Sequence, residues 1–225
     1  MPFILLILVV LAIFGPQLWA KRVLAKHSGP RDDLSGTGGE LASHLVKGLD
    51  LSGVKVESTK IGDHYDPQAK VVRLSEKNWS QKSLTALVVA SHEVGHAIQD
   101  ADDYPPFRQR TRLVRGAQLV QKIGGALMLV IPLVALLARS PQLGLLVFLV
   151  GLATLATSVV VHLVTLPVEW DASFHRALPL LAANDYIAAE DHPAARQILT
   201  ACALTYVASS LASVLQLWRW VVLRR

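Results

Sequence analysis

Residues 84–99 have the sequence LTALVVASHEVGHAIQ, and this stretch decides the centre of the fold. Apolar residues recur at helical spacing through its first half. Ser80 or Ser83 precedes it as an N-cap, and the Tyr-Pro-Pro run at 104–106 stops it. The sequence therefore predicts a largely apolar helix that carries the polar run His92-Glu93-Val94-Gly95-His96.

This polar run is typical of a zinc site, because His92 and His96 are four residues apart and lie on one helix face. A catalytic zinc takes three protein ligands and leaves one position for water. Glu93 then lies beside the metal as a general base that takes a proton from zinc-bound water. Gly95 leaves room for a substrate or a neighbouring strand. The alternative is a helix with two surface histidines, which the apolar surroundings disfavour.

The N-terminal residues 3–19 form an uncharged apolar run that Lys21 and Arg22 close. Its length is near the roughly 20 residues that a membrane-spanning helix needs. A cleavable signal peptide is the alternative, but no Lys or Arg precedes the run and the small-residue cleavage pattern is missing. We therefore predict an uncleaved transmembrane anchor.

Further apolar stretches follow the motif, and 52% of the whole chain is apolar. Residues 123–138 and 143–166 are predicted to form a transmembrane helical hairpin around the short loop 139–142. Residues 201–218 are apolar but contain Thr, Tyr and Ser, so the sequence leaves open whether they cross the membrane.

The formal net charge is +5, and 16 of the 22 Lys and Arg residues lie within 20–122. Basic residues flank the predicted spans on both sides of this segment, which predicts that it faces the cytoplasm of a multi-pass cell-membrane protein. Nucleic-acid binding is disfavoured, because the few aromatic residues lie near the membrane segments rather than among the charges. The lone Cys202 excludes a disulfide framework within one chain.

The polar segment between the first two spans contains a predicted small antiparallel sheet. A short helix at 40–47, capped by Thr37 or Gly38, comes first. Residues 54–58 alternate apolar and polar, residues 70–75 do so less strictly, and 66–69 supply a turn. The strand at 70–75 is predicted to be the edge on which an extended substrate adds.

The third ligand must come from elsewhere, because no histidine follows the motif at the metzincin spacing. The predicted hairpin returns the chain to the motif's side of the membrane at the run PVEWDAS, residues 167–173. An acid after Pro167 is also common at a helix start, where the dipole favours its ionised form. The candidate ligands that remain open are Glu169, Asp171, His162, His175, Asp100, Asp102 and Asp103.

Four collinear segments resemble the YugP-type neutral zinc metallopeptidases, which are multi-pass bacterial membrane proteins. The segments are YDP at 65–67 with KVVRLS at 70–75, ASHEVGHAIQ at 90–99, LPVEWDAS at 166–173 and ACALTYVA at 201–208. The resemblance implies a zincin-like peptidase with Glu169 as the third zinc ligand. Trp170 departs from the expected Phe but stays aromatic. The family brings no substrate with it.

The predicted fold class is α+β and mostly helical: a zincin-like domain, with a small sheet and an active-site helix, on a bundle of three to four transmembrane helices. Its predicted parts are an anchor at 1–19, a peptidase domain at 20–122, the hairpin at 123–166, a third-ligand segment at 167–200 and an apolar helix at 201–225.

The predicted function is that of a membrane-anchored zinc metallopeptidase, of endopeptidase type, acting on a membrane-associated peptide or protein. One Zn²⁺ per chain binds to His92, His96 and Glu169, while Glu93 acts first as base and then as acid. The alternative is a non-catalytic membrane assembly or adaptor protein with a structural zinc site, which would not need Glu93.

Weaker predictions concern residues around the ligands. Asp171 and Ser173 are candidates for hydrogen bonds to the ligands, with surface capping as the alternative. His162 is a polar group in an apolar helix, which suggests either function or a hydrogen-bonded core residue. Candidates for stabilising the oxyanion of the tetrahedral intermediate are Tyr65, Tyr206 and His175.

Overall fold

The computed structural model describes residues 2–138, 141–183 and 185–204, and most of them are helical. Within these residues the α-helices with defined limits are α1 Pro2–Lys26, α2 Gly38–Gly48, α3 Glu76–Ser80, α4 Leu84–Ala101, α5 Pro105–Ala138, α6 Pro141–Trp170 and α7 Leu178–Ala183. A π-helix, Asp171–Ala177, joins α6 to α7, a 3-10 turn follows at Ala189–Asp191, and residues 192–204 are helical. Most of the apolar stretch 201–218 lies outside the described residues.

The small sheet has three strands in the order β1-β3-β2, where β1 is Lys55–Thr59, β2 is His64–Asp66 and β3 is Val71–Ser75. Strand β1 is parallel to β3, whereas β2 is antiparallel to it. The two predicted strands therefore pair in parallel, and the predicted antiparallel sheet is wrong in this respect. The antiparallel partner is β2, which sequence analysis missed because three residues are too few for an alternation signal.

The sheet order also corrects the predicted substrate edge. Strand β3 has a hydrogen-bonded neighbour on each side, so its backbone groups are already paired. An extended peptide adds only to an unpaired edge. The prediction that 70–75 forms the substrate-binding edge is therefore wrong.

Helix α4 runs through the core, and every residue from Leu84 to Ala97 is buried. Ser83 caps it by accepting a hydrogen bond from Ala86 N at 3.2 Å, which confirms the predicted start. A helix that is buried on all sides needs partners from other elements for its polar groups. The motif therefore lies in the interior, not on a surface face.

Helix α2 begins two residues earlier than predicted, with Thr37 as its cap and Glu40 completing a capping box. It packs closely on α4, since a Cβ added to Gly38 would lie 2.7 Å from the backbone oxygen of Ala86. Gly38 therefore lets the two helices approach.

Helices α5 and α6 pack against each other as the predicted hairpin. A Cβ added to Gly124 would lie 2.6 Å from Thr154 Oγ1, so glycine allows this approach. The predicted boundaries at 122 and 166 fall inside continuous helices, because backbone hydrogen bonding in a helix continues whether its side chains face polar or apolar surroundings. The hairpin brings the chain back to α4.

One helical stretch of the described chain, Gln142–Ala183, is long and apolar enough to cross a membrane. Little of its apolar part is buried inside the protein. The predicted spans at 3–19 and 123–138 lie in α1 and α5 and remain predictions. The described residues thus establish one candidate span rather than a bundle of three to four.

Candidate metal centre

His92 and His96 lie one turn apart on α4 and are only 3% and 4% exposed. Their ring centroids are 4.8 Å apart, with an angle of 76° between the ring planes. The Nε2 atoms of both rings face the same carboxylate on α6. The i,i+4 spacing therefore places two imidazole nitrogens at one buried point.

Glu169 supplies that carboxylate from 73 residues beyond His96, and it is fully buried. Its Oε2 atom lies 3.2 Å from His92 Nε2 and 3.3 Å from His96 Nε2. Among the His, Cys, Asp and Glu side chains that the structure describes, these three form the one converging group, with all ligand atoms within 4.8 Å of one another. The predicted approach of Glu169 to both histidines is observed.

The predicted reason for the charge of Glu169 is wrong, because Glu169 is not at a helix start. Helix α6 continues through Pro167 to Trp170. A proline inside a helix removes one backbone donor, a cost that packing can offset here because Val168 and Glu169 are fully buried. Burial opposes the charge of Glu169, yet the imidazoles of His96 and His92 hold the pKa of this carboxyl below its usual range.

Hydrogen bonds on the far side of each imidazole determine which nitrogen carries the proton. Gln99 Nε2 donates to Val168 O at 2.9 Å and to Asp171 Oδ2 at 2.7 Å, so its Oε1 accepts from His96 Nδ1 at 2.9 Å. The hydroxyl of Ser173 donates to a backbone oxygen at 3.4 Å and lies 3.1 Å from His92 Nδ1, from which it accepts. In their neutral forms, both imidazoles therefore present the Nε2 lone pair to Glu169.

The two Nε2 lone pairs and the carboxylate oxygen of Glu169 repel one another unless positive charge lies among them. Protonation of the imidazoles can supply this charge, and so can one divalent cation that replaces those protons. Tetrahedral zinc with bonds of about 2.0–2.2 Å separates its ligand atoms by about 3.3–3.6 Å. Glu169 Oε2 lies 3.2 and 3.3 Å from the two Nε2 atoms, close to that spacing, and all three ligand atoms lie within 4.8 Å of one another, so these residues can hold zinc.

The π-helix Asp171–Ala177 carries backbone and side chains against α4. A Cβ added to Gly95 would lie 2.7 Å from the backbone oxygen of Ala172. Gly95 therefore admits a helical backbone here, where sequence analysis expected a substrate or a strand. π-Helical turns are frequent at functional sites.

Asp171 lies behind His96 in a chain of hydrogen bonds through Gln99. Asp171 Oδ2 accepts from Gln99 Nε2 at 2.7 Å and from Arg176 Nε at 2.8 Å. Burial opposes its charge, but these two donors hold the pKa of Asp171 below its usual value. This series of hydrogen bonds fixes the orientation of the His96 ring.

Glu93 follows His92 on α4 and is 7% exposed. Burial raises the pKa of Glu93 to about 7; the charges of Glu169 and Asp63 also raise it, whereas that of His92 lowers it. A carboxyl group that titrates near neutral pH can both accept and donate a proton.

The acidic candidates on the other side of the motif do not join the converging group. Each of them pairs with a different side chain, which reflects their position where α4 ends. The pairs are Asp100 with Tyr65 at 2.7 Å, Asp102 with Arg176 at 2.5 Å and Asp103 with Arg108 at 3.3 Å.

The candidate oxyanion residues lie in different places. The Tyr65 hydroxyl donates to Asp100, and burial together with this bond raises the pKa of Tyr65. The side chain of His175 is 70% exposed and lies 3.4 Å from Asp171. Tyr206 and the side chain of His162 lie outside the described residues. A role in stabilising an oxyanion stays a prediction for all of them.

Two residues of this site, Gln99 and Arg110, were not predicted from the sequence. Gln99 follows His96 by three residues, so helical spacing signals that it can reach the ring. Arg110 belongs to the basic segment that we assigned to the membrane flank, yet its Nη2 atom lies 3.4 Å from Glu169 Oε1. No sequence signal separates Arg110 from its basic neighbours.

Comparisons with known proteins are consistent with this donor set. The sequence model of the family described as "Putative neutral zinc metallopeptidase" matches residues 2–225. A "Putative membrane protease YugP" from Bacillus subtilis (strain 168) is 32% identical over 231 residues, which cover 97% of this chain and 96% of that protein. No solved structure matches. The chain therefore belongs to this family of zinc metallopeptidases.

Proposed function

We propose that this protein is a membrane-anchored metallopeptidase that uses one zinc ion per chain to hydrolyse peptide bonds. The observation that carries the proposal is the convergence of His92 Nε2, His96 Nε2 and Glu169 Oε2 at one buried point. Membership of the family supports the same activity. Peptides or proteins at the membrane are the proposed substrates.

The donor set would hold zinc through two neutral imidazoles and one carboxylate, a combination that zinc accepts in catalytic sites. A bound zinc ion would act as a Lewis acid on the substrate carbonyl and would lower the pKa of a water molecule. Gln99 and Ser173 keep the two imidazoles oriented through their Nδ1 atoms.

Glu93 is the proposed general base. It accepts a proton from the attacking water and later donates a proton to the nitrogen of the leaving amine as the peptide C–N bond breaks. Its burial next to His92 suits this role, because a carboxyl group in a dry site binds and releases a proton near neutral pH.

A structural zinc site in an adaptor or assembly protein is the alternative. Structural sites are closed by four protein ligands, whereas catalytic sites have three and leave one position open. The converging group contains three side chains within the described parts of the chain. A set of three ligands next to a buried Glu93 favours catalysis.

Membrane anchoring is proposed from the exposed apolar surface of the hairpin. Leu145, Leu149 and Leu152 on α6 are 60%, 50% and 48% exposed. Such a surface on a helix long enough to span a bilayer is favourable in lipid and unfavourable in water. Glu169 lies just past the predicted span at 143–166, so a substrate at the membrane surface is within reach.

The proposed location is the cell membrane, with the zinc site facing the cytoplasm, because basic residues flank the predicted spans on the side of the site. This orientation can be tested with single cysteines introduced at positions 28 and 140 in a Cys202→Ala background. Intact cells are then treated with an impermeant thiol reagent. We expect labelling at position 140 and protection at position 28. The opposite pattern would reverse the orientation.

The decisive experiment compares casein hydrolysis and zinc content in purified wild type and Glu93→Gln. We expect about one zinc per chain in both proteins and a rate that falls by about 10²–10⁴ in the variant. Glu190→Gln, at an exposed position, is the matched control and should keep full activity. If Glu93→Gln loses its metal, Glu93 is a ligand and the proposed mechanism is wrong.

A further inference from the structure

Arg110 lies on the second turn of α5 and reaches the metal centre from outside the motif. Its guanidinium carbon is 5.8 Å from the centroid of the Phe107 ring, and the Phe107 ring is 6.0 Å from that of His96. Phe107 is buried, and the Arg110 side chain is 19% exposed. The contact with the aromatic face holds the guanidinium at the edge of the site.

The two oxygens of Glu169 have different neighbours. Oε2 faces the two histidines, whereas Oε1 is buried and accepts no hydrogen bond from the described residues. Arg110 Nη2 lies 3.4 Å from Oε1, which is an ion pair just beyond the length of a strong charge-assisted hydrogen bond. The positive charge of Arg110 therefore compensates a buried oxygen that would otherwise face no donor.

We propose that Arg110 is a positioning residue that keeps Glu169 a one-oxygen ligand, with Oε2 toward the metal and Oε1 held by the guanidinium. The inference rests on the proposed function, since it assumes that Glu169 binds zinc. A carboxylate can bind zinc through one oxygen or two. Pairing of Oε1 with Arg110 opposes binding through both, which keeps a coordination position open for water and substrate.

The test measures the metal site itself in wild type, Arg110→Gln and Arg110→Lys. Zinc affinity is measured by competition with a chromophoric chelator, and coordination number is read from the visible absorption of the cobalt(II)-substituted proteins. We expect Arg110→Gln to weaken zinc binding by about 10- to 100-fold and to shift the cobalt spectrum toward five-coordination. Arg110→Lys keeps the charge and should restore part of both properties. Arg112→Gln, an exposed position on the same helix, should match wild type.

Unchanged zinc affinity and an unchanged cobalt spectrum in Arg110→Gln would overturn the proposal, even if hydrolysis slows, because Arg110 would then act on the substrate. If Arg110→Gln does not fold, the decision rests on Arg110→Lys, whose cobalt spectrum must differ from that of wild type. A wild type that binds zinc but hydrolyses no peptide refutes the peptidase function and leaves this comparison valid. If the wild-type protein binds neither zinc nor cobalt(II), the proposed peptidase function and the proposed role of Arg110 are both refuted.

Discussion

Replacing Gln99 by Met tests how much the hydrogen bonds behind His96 contribute to zinc binding. Gln99 is fully buried and makes three side-chain hydrogen bonds, of 2.7–2.9 Å, to His96, Val168 and Asp171. Methionine is unbranched and fills a similar volume, so the substitution removes the polar atoms without leaving a large cavity.

The expected magnitude follows from the groups that lose a partner. Asp171 keeps its bond from Arg176, whereas His96 Nδ1 and Val168 O each lose the Gln99 bond. An unsatisfied buried polar group costs about 1–3 kcal/mol, so the free energy of unfolding should fall by about 2 kcal/mol or more. The freed His96 ring should weaken zinc binding by about 10- to 100-fold, which equals about 1.4–2.7 kcal/mol.

The assay is a zinc titration in competition with a chelator, together with urea unfolding of the metal-free protein. Gln68→Met, at an exposed position, is the matched control and should change neither quantity. A folded Gln99→Met variant with the zinc affinity of wild type would refute the reasoning, because His96 would then be oriented without Gln99.

Three further predictions concern the same site. Gly95→Ala adds a Cβ at 2.7 Å from Ala172 O and should lower the free energy of unfolding by about 1–3 kcal/mol in urea titrations, whereas Gly116→Ala meets nothing within 4 Å and should not destabilise. Glu169→Gln keeps the shape but removes the anionic donor, so metal analysis should find much less zinc than in wild type. Chelation should abolish casein hydrolysis and added zinc should restore it, so full activity in chelator would contradict a zinc mechanism.

Local structure around the motif could be predicted because it depends on neighbouring residues. Ser83 caps α4 and Thr37 caps α2 as the sequence indicated, since capping requires only a side-chain oxygen near the first free backbone N–H groups. The pairing of β1 with β3 could not be predicted, because it depends on how the chain between them folds. The error about the substrate edge followed from missing β2, which pairs with the other side of β3.

The interior of α6 shows the same limit. Pro167 is a sound helix-start signal by itself, yet the helix continues through it because Val168 and Glu169 pack in the core. The prediction that Glu169 favours its ionised form therefore had the right direction, but the helix dipole was the wrong cause. The neighbouring imidazoles, which are distant in sequence, favour its charge.

The sequence by itself determined that His92 and His96 share one face of a helix with Glu93 beside them, because helical spacing is a property of the local backbone. Only the tertiary structure decided that Glu169 meets them, that Val168 and Asp171 hold the side chain of Gln99 and that Arg110 lies beside the second oxygen of Glu169. The physical reason is that these contacts depend on the path of the α5–α6 hairpin and on a π-helical turn, neither of which is encoded at any fixed spacing from the motif.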